Sequence, residues 1–450
     1  MENTGAPSQA AEKQENQKGE IGIWTCTTLV IGTMIGSGVF LLPASLATYG
    51  ALSIFGWIIT SAGAMVMGLL FGRLAKLVTR SGGPYAYTQE GFGDFAGFLM
   101  AWGYWISMCC SIAGVSVAMT GYVSYLVPAV GESVALQLCV ALGVLWSLIL
   151  IQLRGISSAG FIQIVTTALK IIPLLAIAAV GLFYISPENY TPINPSGQAW
   201  YSAIPATVTL TLWAYLGLEA ATVPSGNVKN PSVTIPRATV IGIAFSALLY
   251  IVITLVAVGT IPADQLKNSS APLADVAALM WGPVGATLVA VGAIVSTLGT
   301  MNGLTILMGQ TPYGGAQGKV FPQFFAKTNS RGAPARSLLI SGLIPTALVA
   351  INLSRGLVET FTVIALLTVF CLVVPYLFSA LSELMIIARR GIKLEAKEMS
   401  KLIILSVIGF AYTFIALIGA GETAVFYGFL LLLAGVPVYI IIRVNPAKEQ

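Results

Sequence analysis

The reading of this chain turns on residues 22–48, GIWTCTTLVIGTMIGSGVFLLPASLAT, an apolar run long enough to cross a bilayer but interrupted near its middle by Gly32-Thr33-Met34-Ile35-Gly36-Ser37-Gly38. About 20 apolar residues in a helix span ~30 Å of hydrocarbon. Glycine costs a helix interior roughly 1 kcal/mol relative to alanine, so Gly36 and Gly38 around Ser37 predict a break. A second run, 202–225, carries Trp213-Ala214-Tyr215-Leu216-Gly217, with Glu219 close behind. Unwound backbone at membrane depth persists only where protein buries it or where it lines a cavity. These two spans stand five apart in order. Paired breaks at matching positions of two halves are the pattern of a transporter built from two five-helix inverted repeats around a midplane site.

The rest of the chain agrees with a membrane assignment. Of 450 residues, 56% are hydrophobic and 9% charged, whereas soluble domains carry about 25% charged residues. Apolar runs predict twelve transmembrane helices, at 22–48, 51–72, 95–127, 134–153, 158–185, 202–225, 237–260, 281–311, 337–353, 357–387, 401–420 and 424–443. The expected fold is an all-α integral membrane protein. It comprises a tail over 1–20, a ten-helix inverted-repeat core over 21–390, and two more helices with a short C-terminus over 391–450. Cytoplasmic loops retain Lys and Arg. With both termini inside, nineteen basic residues fall on the cytoplasmic side and only Lys267 and Arg355 outside, with Lys170 inside a span. The expected location is the plasma membrane of a bacterium, its inner membrane, with the lipid bilayer as the surrounding partner. The net charge of +5 then reflects orientation and points to no nucleic acid.

Other classes lack their residues. The five cysteines, Cys26, Cys109, Cys110, Cys139 and Cys371, lie in apolar runs without metal-site spacing and are expected to be packing residues. The sequence offers no catalytic motif and no phosphate-binding loop, so neither an enzyme nor ATP-driven transport is expected, and no cofactor or metal. A channel would need a repeated polar filter. At a broken helix, free N–H groups at the start of one half suit a carboxylate, and free carbonyls at the end of the other suit an ammonium. An α-amino acid satisfies both.

At these residues the chain resembles the amino acid–polyamine–organocation superfamily, and within it the basic amino acid/polyamine antiporters of the arginine/agmatine type. The similar stretches include Gly32–Pro43, SGGPYAY at Ser81–Tyr87, Gly121–Pro128, TLWAYLGLE at Thr211–Glu219, NVKNPSVTIP at Asn227–Pro236, and Gly309–Pro322. The resemblance implies that the amides of Ser37 and Gly38, next to Gly36, hold a substrate carboxylate. It implies that the carbonyls of Met34, Trp213 and Leu216 hold the amino group. Trp213 would cover the bound side chain, and Tyr104 would sit near Glu219 in a gate on the same pathway. Dimers are common among the antiporters it resembles, so a homodimer is expected on analogy alone.

Glu219 and Lys170 are the only ionisable acid and base expected deep within spans, where a charge is a functional hypothesis by default. With no histidine in the chain, these two are the candidates for proton linkage. Lys170, in TTALKIIP, departs from the arginine/agmatine antiporters, which have a small residue there. It is similar instead to the fifth-helix lysine of sodium-independent relatives, whose ammonium stands where others hold a sodium ion. Three further departures concern the distal pocket: Ile112 replaces an asparagine, Leu304 a tryptophan, and Ala365-Leu366 a serine region. A buried guanidinium would lose charged hydrogen bonds worth roughly 1.5–3 kcal/mol each against such a wall. The sequence therefore predicts a sodium-independent secondary antiporter working by alternating access and favouring neutral amino acids. The alternatives are arginine/agmatine or other basic amino acid/polyamine exchange and, behind it, proton-coupled uptake of amino acids.

Overall fold

The computed structural model describes residues 22–78, 83–154, 159–218 and 228–444, with the side chains of 159–169, 231 and 232 left aside. The protein is all-α. A helix satisfies every backbone N–H and C=O within its own segment, which is what hydrocarbon demands of an apolar run. In chain order the principal helices are α1 (Ile23–Met34), α2 (Ser37–Ala47), α3 (Leu52–Leu77), α4 (Pro84–Phe92), α5 (Asp94–Leu126) and α6 (Val134–Leu153). They continue as α7 (Ala159–Gly181), α8 (Trp200–Leu212), α9 (Pro231–Thr260), α10 (Pro272–Gln317) and α11 (Ala335–Asn352). The chain closes with α12 (Leu357–Arg390), α13 (Ala396–Gly419), α14 (Gly421–Leu433) and α15 (Gly435–Val444).

Among the described residues nine helices are long and apolar enough to cross a membrane, taking α14 with α15, and the bent pair α1–α2 makes a tenth. The fifth expected span is the 23-residue α7, and the sixth begins as the 13-residue α8. Two boundaries differ from the sequence reading. The expected span 281–311 runs on to Gln317. At its start Gly282, with φ +68° and ψ −166°, a conformation that only glycine adopts freely, separates it from a short preceding helix that begins at Pro272. The loop after α3 contains α4, started by Pro84 at its first turn, where proline's missing N–H costs nothing.

Helix burial sorts the layers. In the most apolar stretch of α5, 94% of residues are buried, against 17% across Gly421–Val444. A helix apolar all round belongs at a centre, and α5 is that post, packed along α12 and α10. Helices α13 to α15 present Ile404, Ile408, Ile418, Phe426 and Phe429 outward, an apolar area that bilayer tails cover. Helix α6 is similarly peripheral, and Cys139 on it is exposed. That corrects one expectation: four of the cysteines pack inside, whereas Cys139 faces outward because α6 buries only 22% of its apolar stretch.

The two ends of the bundle differ. At the end rich in basic residues, Arg73 of α3 reaches Glu383 of α12 with Nε 2.9 Å and 3.0 Å from the two carboxylate oxygens. Arg390 of α12 meets Glu90 of α4 at 2.7 Å, and Arg443 of α15 meets Asp94 of α5. At the opposite end, beside Lys267 and Arg355, a cleft of about 700 Å³ runs inward past Ser45, Thr362 and Leu210 to Leu366.

Candidate functional site

Helix α1 stops at Met34 because Ile35 takes ψ 90° and Gly36 takes φ −125°, ψ −140°, outside the helical basin. Helix α2 then starts at Ser37, bent 41° from α1. The first amides of a helix have no intrahelical acceptor, so those of Ser37 and Gly38 head α2 with the positive end of its dipole. Gly36 is needed for a further reason. A Cβ there would stand 3.0 Å from Cγ2 of Thr300 on α10, so its absence lets α10 approach the break.

The second break begins where α8 passes into a 3-10 turn at Trp213–Tyr215. Leu216 is extended, with φ −57° and ψ 130°, and Gly217 has φ +90°. The amide of Leu216 donates to the Trp213 carbonyl at 3.2 Å. A carbonyl oxygen has two lone pairs, so that of Trp213 keeps one.

The breaks abut. Thr33 Oγ1, which donates within α1 toward the Leu29 and Val30 carbonyls at 2.9 Å, lies 3.3 Å from the Gly217 carbonyl, and a Cβ on Gly217 would lie 3.0 Å from Thr33 Cβ. A Cβ on Gly38 would meet Trp213 Cδ1 at 3.0 Å and Ala214 Cβ at 3.1 Å. Small residues at such crossings permit this closeness between membrane helices.

Trp213 lies across the junction, 4% exposed. Its ring stands edge-on to Phe361 with centroids 5.4 Å apart. The far edge fits over Gly114 of α5, where a Cβ would be 2.7 Å from Cη2 of the indole and 3.4 Å from Cγ2 of Ile364. Ile112, fully buried, is two residues from Gly114 on the same helix. Phe361, Ile364 and Gly114 escaped the sequence reading. The signal for the first two was the helical spacing Phe361, Ile364, Ala365, Thr368, which sets one face of α12 toward the centre.

Lys170 is 2% exposed, and its Nζ donates to the Gly32 carbonyl at 2.5 Å. In an unbroken helix the amide of Gly36 would serve that carbonyl. The break removes the donor, and the ammonium takes its place at the negative end of the α1 dipole.

The remaining expected residues are less centred. Leu304, half-buried, lies one turn beyond Thr300 and so on the same face of α10. Leu366 stands in the wall of the cleft. Beside Leu304, Asn302, not among those expected residues, accepts from Gln152 Nε2 at 2.9 Å and ties α10 to α6. Tyr104 is half-buried on α5, whereas Glu219, its expected gate partner, lies outside the described residues.

A second buried ionisable group lies near the basic end of the bundle. Glu383 is 3% exposed, and the two-pronged grip of Arg73, whose Nη2 is 2.8 Å from Oε1, is what lets a carboxylate be buried there. The sequence gives no sign that the two meet, since they stand 310 residues apart.

Comparison with known proteins bears on the same stretches. The family model described as amino acid permease matches residues 21–442. A putative arginine/ornithine antiporter of Bacillus subtilis is 30% identical, covering 95% of this chain and 98% of its own. The putrescine transporter PotE of Escherichia coli is 29% identical over 93% of this chain and 95% of its own. A cadaverine/lysine antiporter of Escherichia coli is 30% identical, covering 90% of each.

Proposed function

This chain belongs to the amino acid permease family, and on that premise we propose that it is a sodium-independent antiporter exchanging basic amino acids or their diamines. The observation that carries the reading is the abutment of two helix breaks at Gly38, Trp213 and Gly217. In this reading the amides of Ser37 and Gly38 bind the α-carboxylate. The Met34 and Leu216 carbonyls, with the remaining lone pair on Trp213, bind the α-ammonium. Lys170 supplies the fixed positive charge that makes a sodium ion unnecessary. Basic residues set both termini in the cytoplasm of the bacterial inner membrane, so the cleft toward Lys267 and Arg355 opens outward, and the ion pairs at the other end hold the inner side shut.

The substrate class follows the relatives, whose names specify arginine and ornithine, putrescine, or cadaverine and lysine. It revises the neutral preference inferred from Ile112, Leu304 and Leu366. Rings such as Trp213 and Phe361 attract a cation through their faces, worth about 0.5–2 kcal/mol, so a carbon-rich lining does not by itself exclude an ammonium. The neutral reading stays as the second one, supported by the full burial of Ile112.

Exchange in sodium-free proteoliposomes separates the two. Vesicles loaded in parallel with labelled ornithine or labelled leucine are challenged outside with arginine, ornithine, lysine, putrescine, cadaverine, leucine or phenylalanine. Efflux of ornithine is expected to rise with the cationic compounds and not with the neutral ones. Leucine efflux driven by leucine or phenylalanine, with ornithine retained throughout, would sink the cationic assignment.

A further inference from the structure

The structure assigns Tyr250 as the positioning residue of the second helix break, a role that rests on the proposed transport function. Where α8 unwinds, Ala214 keeps a carbonyl that a continuous helix would pair with the amide of Leu218. That amide donates instead to the Tyr215 carbonyl at 3.2 Å. The hydroxyl of Tyr250, on α9, donates to the Ala214 carbonyl at 3.0 Å. Ala214 is the residue between Trp213 and Tyr215, and its Cβ is among the atoms pressed against Gly38. The bond thus fixes the turn that carries the indole over the first break.

Two features make this contact a built one. Tyr250 is fully buried, and its ring is held between Trp57 of α3, with centroids 5.0 Å apart, and Tyr215, at 5.6 Å and nearly perpendicular. Tyr215 is itself tied down, its hydroxyl 2.6 Å from Ser61 Oγ on α3. A buried carbonyl without a donor is costly, and the hydroxyl meets that cost with a group whose rotamer two aromatic neighbours lock. Helices α3 and α9 therefore carry the geometry of the break, although neither reaches the substrate in the reading above.

Tyr250→Phe keeps the ring and removes only the donor. Thr60→Val is the matched control. It removes the 2.6 Å hydroxyl pair between Thr60 and Thr211, which also joins α3 to α8 but lies in the regular part of α8, before the 3-10 turn that starts at Trp213. Both variants are expected to melt slightly below the wild type in detergent. In the exchange assay with external ornithine, Tyr250→Phe is expected to raise the half-saturating concentration about tenfold, as an orphaned buried carbonyl would, with the maximal rate falling less. Thr60→Val is expected to keep the wild-type half-saturation. Equal shifts in both variants, or none in Tyr250→Phe, would overturn the assignment while leaving the transport reading intact. A wild-type protein that exchanges nothing from the panel would overturn the transport reading, and this proposal with it.

Discussion

Lys170→Met is expected to lower sodium-free exchange about 10–100-fold, the scale of losing one charged hydrogen bond of 1.5–3 kcal/mol at a site that must form on every cycle. The substitution keeps an unbranched chain of similar length, so packing around α7 changes little. What disappears is the donor to the Gly32 carbonyl and the positive charge at the negative end of α1. With neither, the last turn of α1 ends in a buried, unpaired carbonyl four residues before Gly36. The angle between α1 and α2 then loses its restraint, and with it the direction of the Ser37 and Gly38 amides. The check is initial exchange rate per folded protein, with size-exclusion behaviour confirming the fold. Wild-type exchange is expected to be indifferent to replacing choline by sodium. A methionine variant exchanging at the wild-type rate would remove Lys170 from the mechanism.

Trp213→Ala is expected to have the other large effect. The indole fills the space between Gly38, Gly114, Phe361 and Ile364, and truncating a buried tryptophan to alanine typically costs 3–5 kcal/mol. Part of that cost appears as a lower melting temperature. The rest falls on transport, because the surface that closes over a bound side chain is gone. Exchange is expected to drop more than about 100-fold, the scale of roughly 3 kcal/mol at the transition between states, with Trp213→Phe recovering part of it by restoring an aromatic face. Half-saturation and rate measured across this pair separate a lid from mere filling. An alanine variant with wild-type half-saturation would deny Trp213 any contact with substrate.

Which parts of this were legible in the sequence follows from which interactions are local. The break at Gly36 was readable because glycine and serine inside an apolar run violate a local rule, and the structure bends there. The break after Trp213 was readable for the same reason, and Gly217 carries the positive φ that explains its glycine. Lys170 stood out as a charge in an apolar run, and the structure sets its Nζ on the Gly32 carbonyl. Pairings across long separations were not legible. Arg73 with Glu383 and Tyr250 with Ala214 consist of ordinary residues whose meaning is tertiary. Gly114 illustrates the limit well, since its missing Cβ matters only once Trp213 is known to lie above it.

In the proposed mechanism the two abutting breaks hold the α-amino and α-carboxylate groups of the substrate. A structure of the protein with bound ornithine, determined by electron cryomicroscopy in lipid nanodiscs, tests it most directly. Density is expected between the breaks, with the carboxylate within hydrogen-bonding distance of the Ser37 and Gly38 amides and the α-ammonium facing the carbonyls of Met34 and Leu216. Ornithine found only in the cleft beside Lys267 and Arg355, with the junction of the breaks still filled by Trp213, would contradict it.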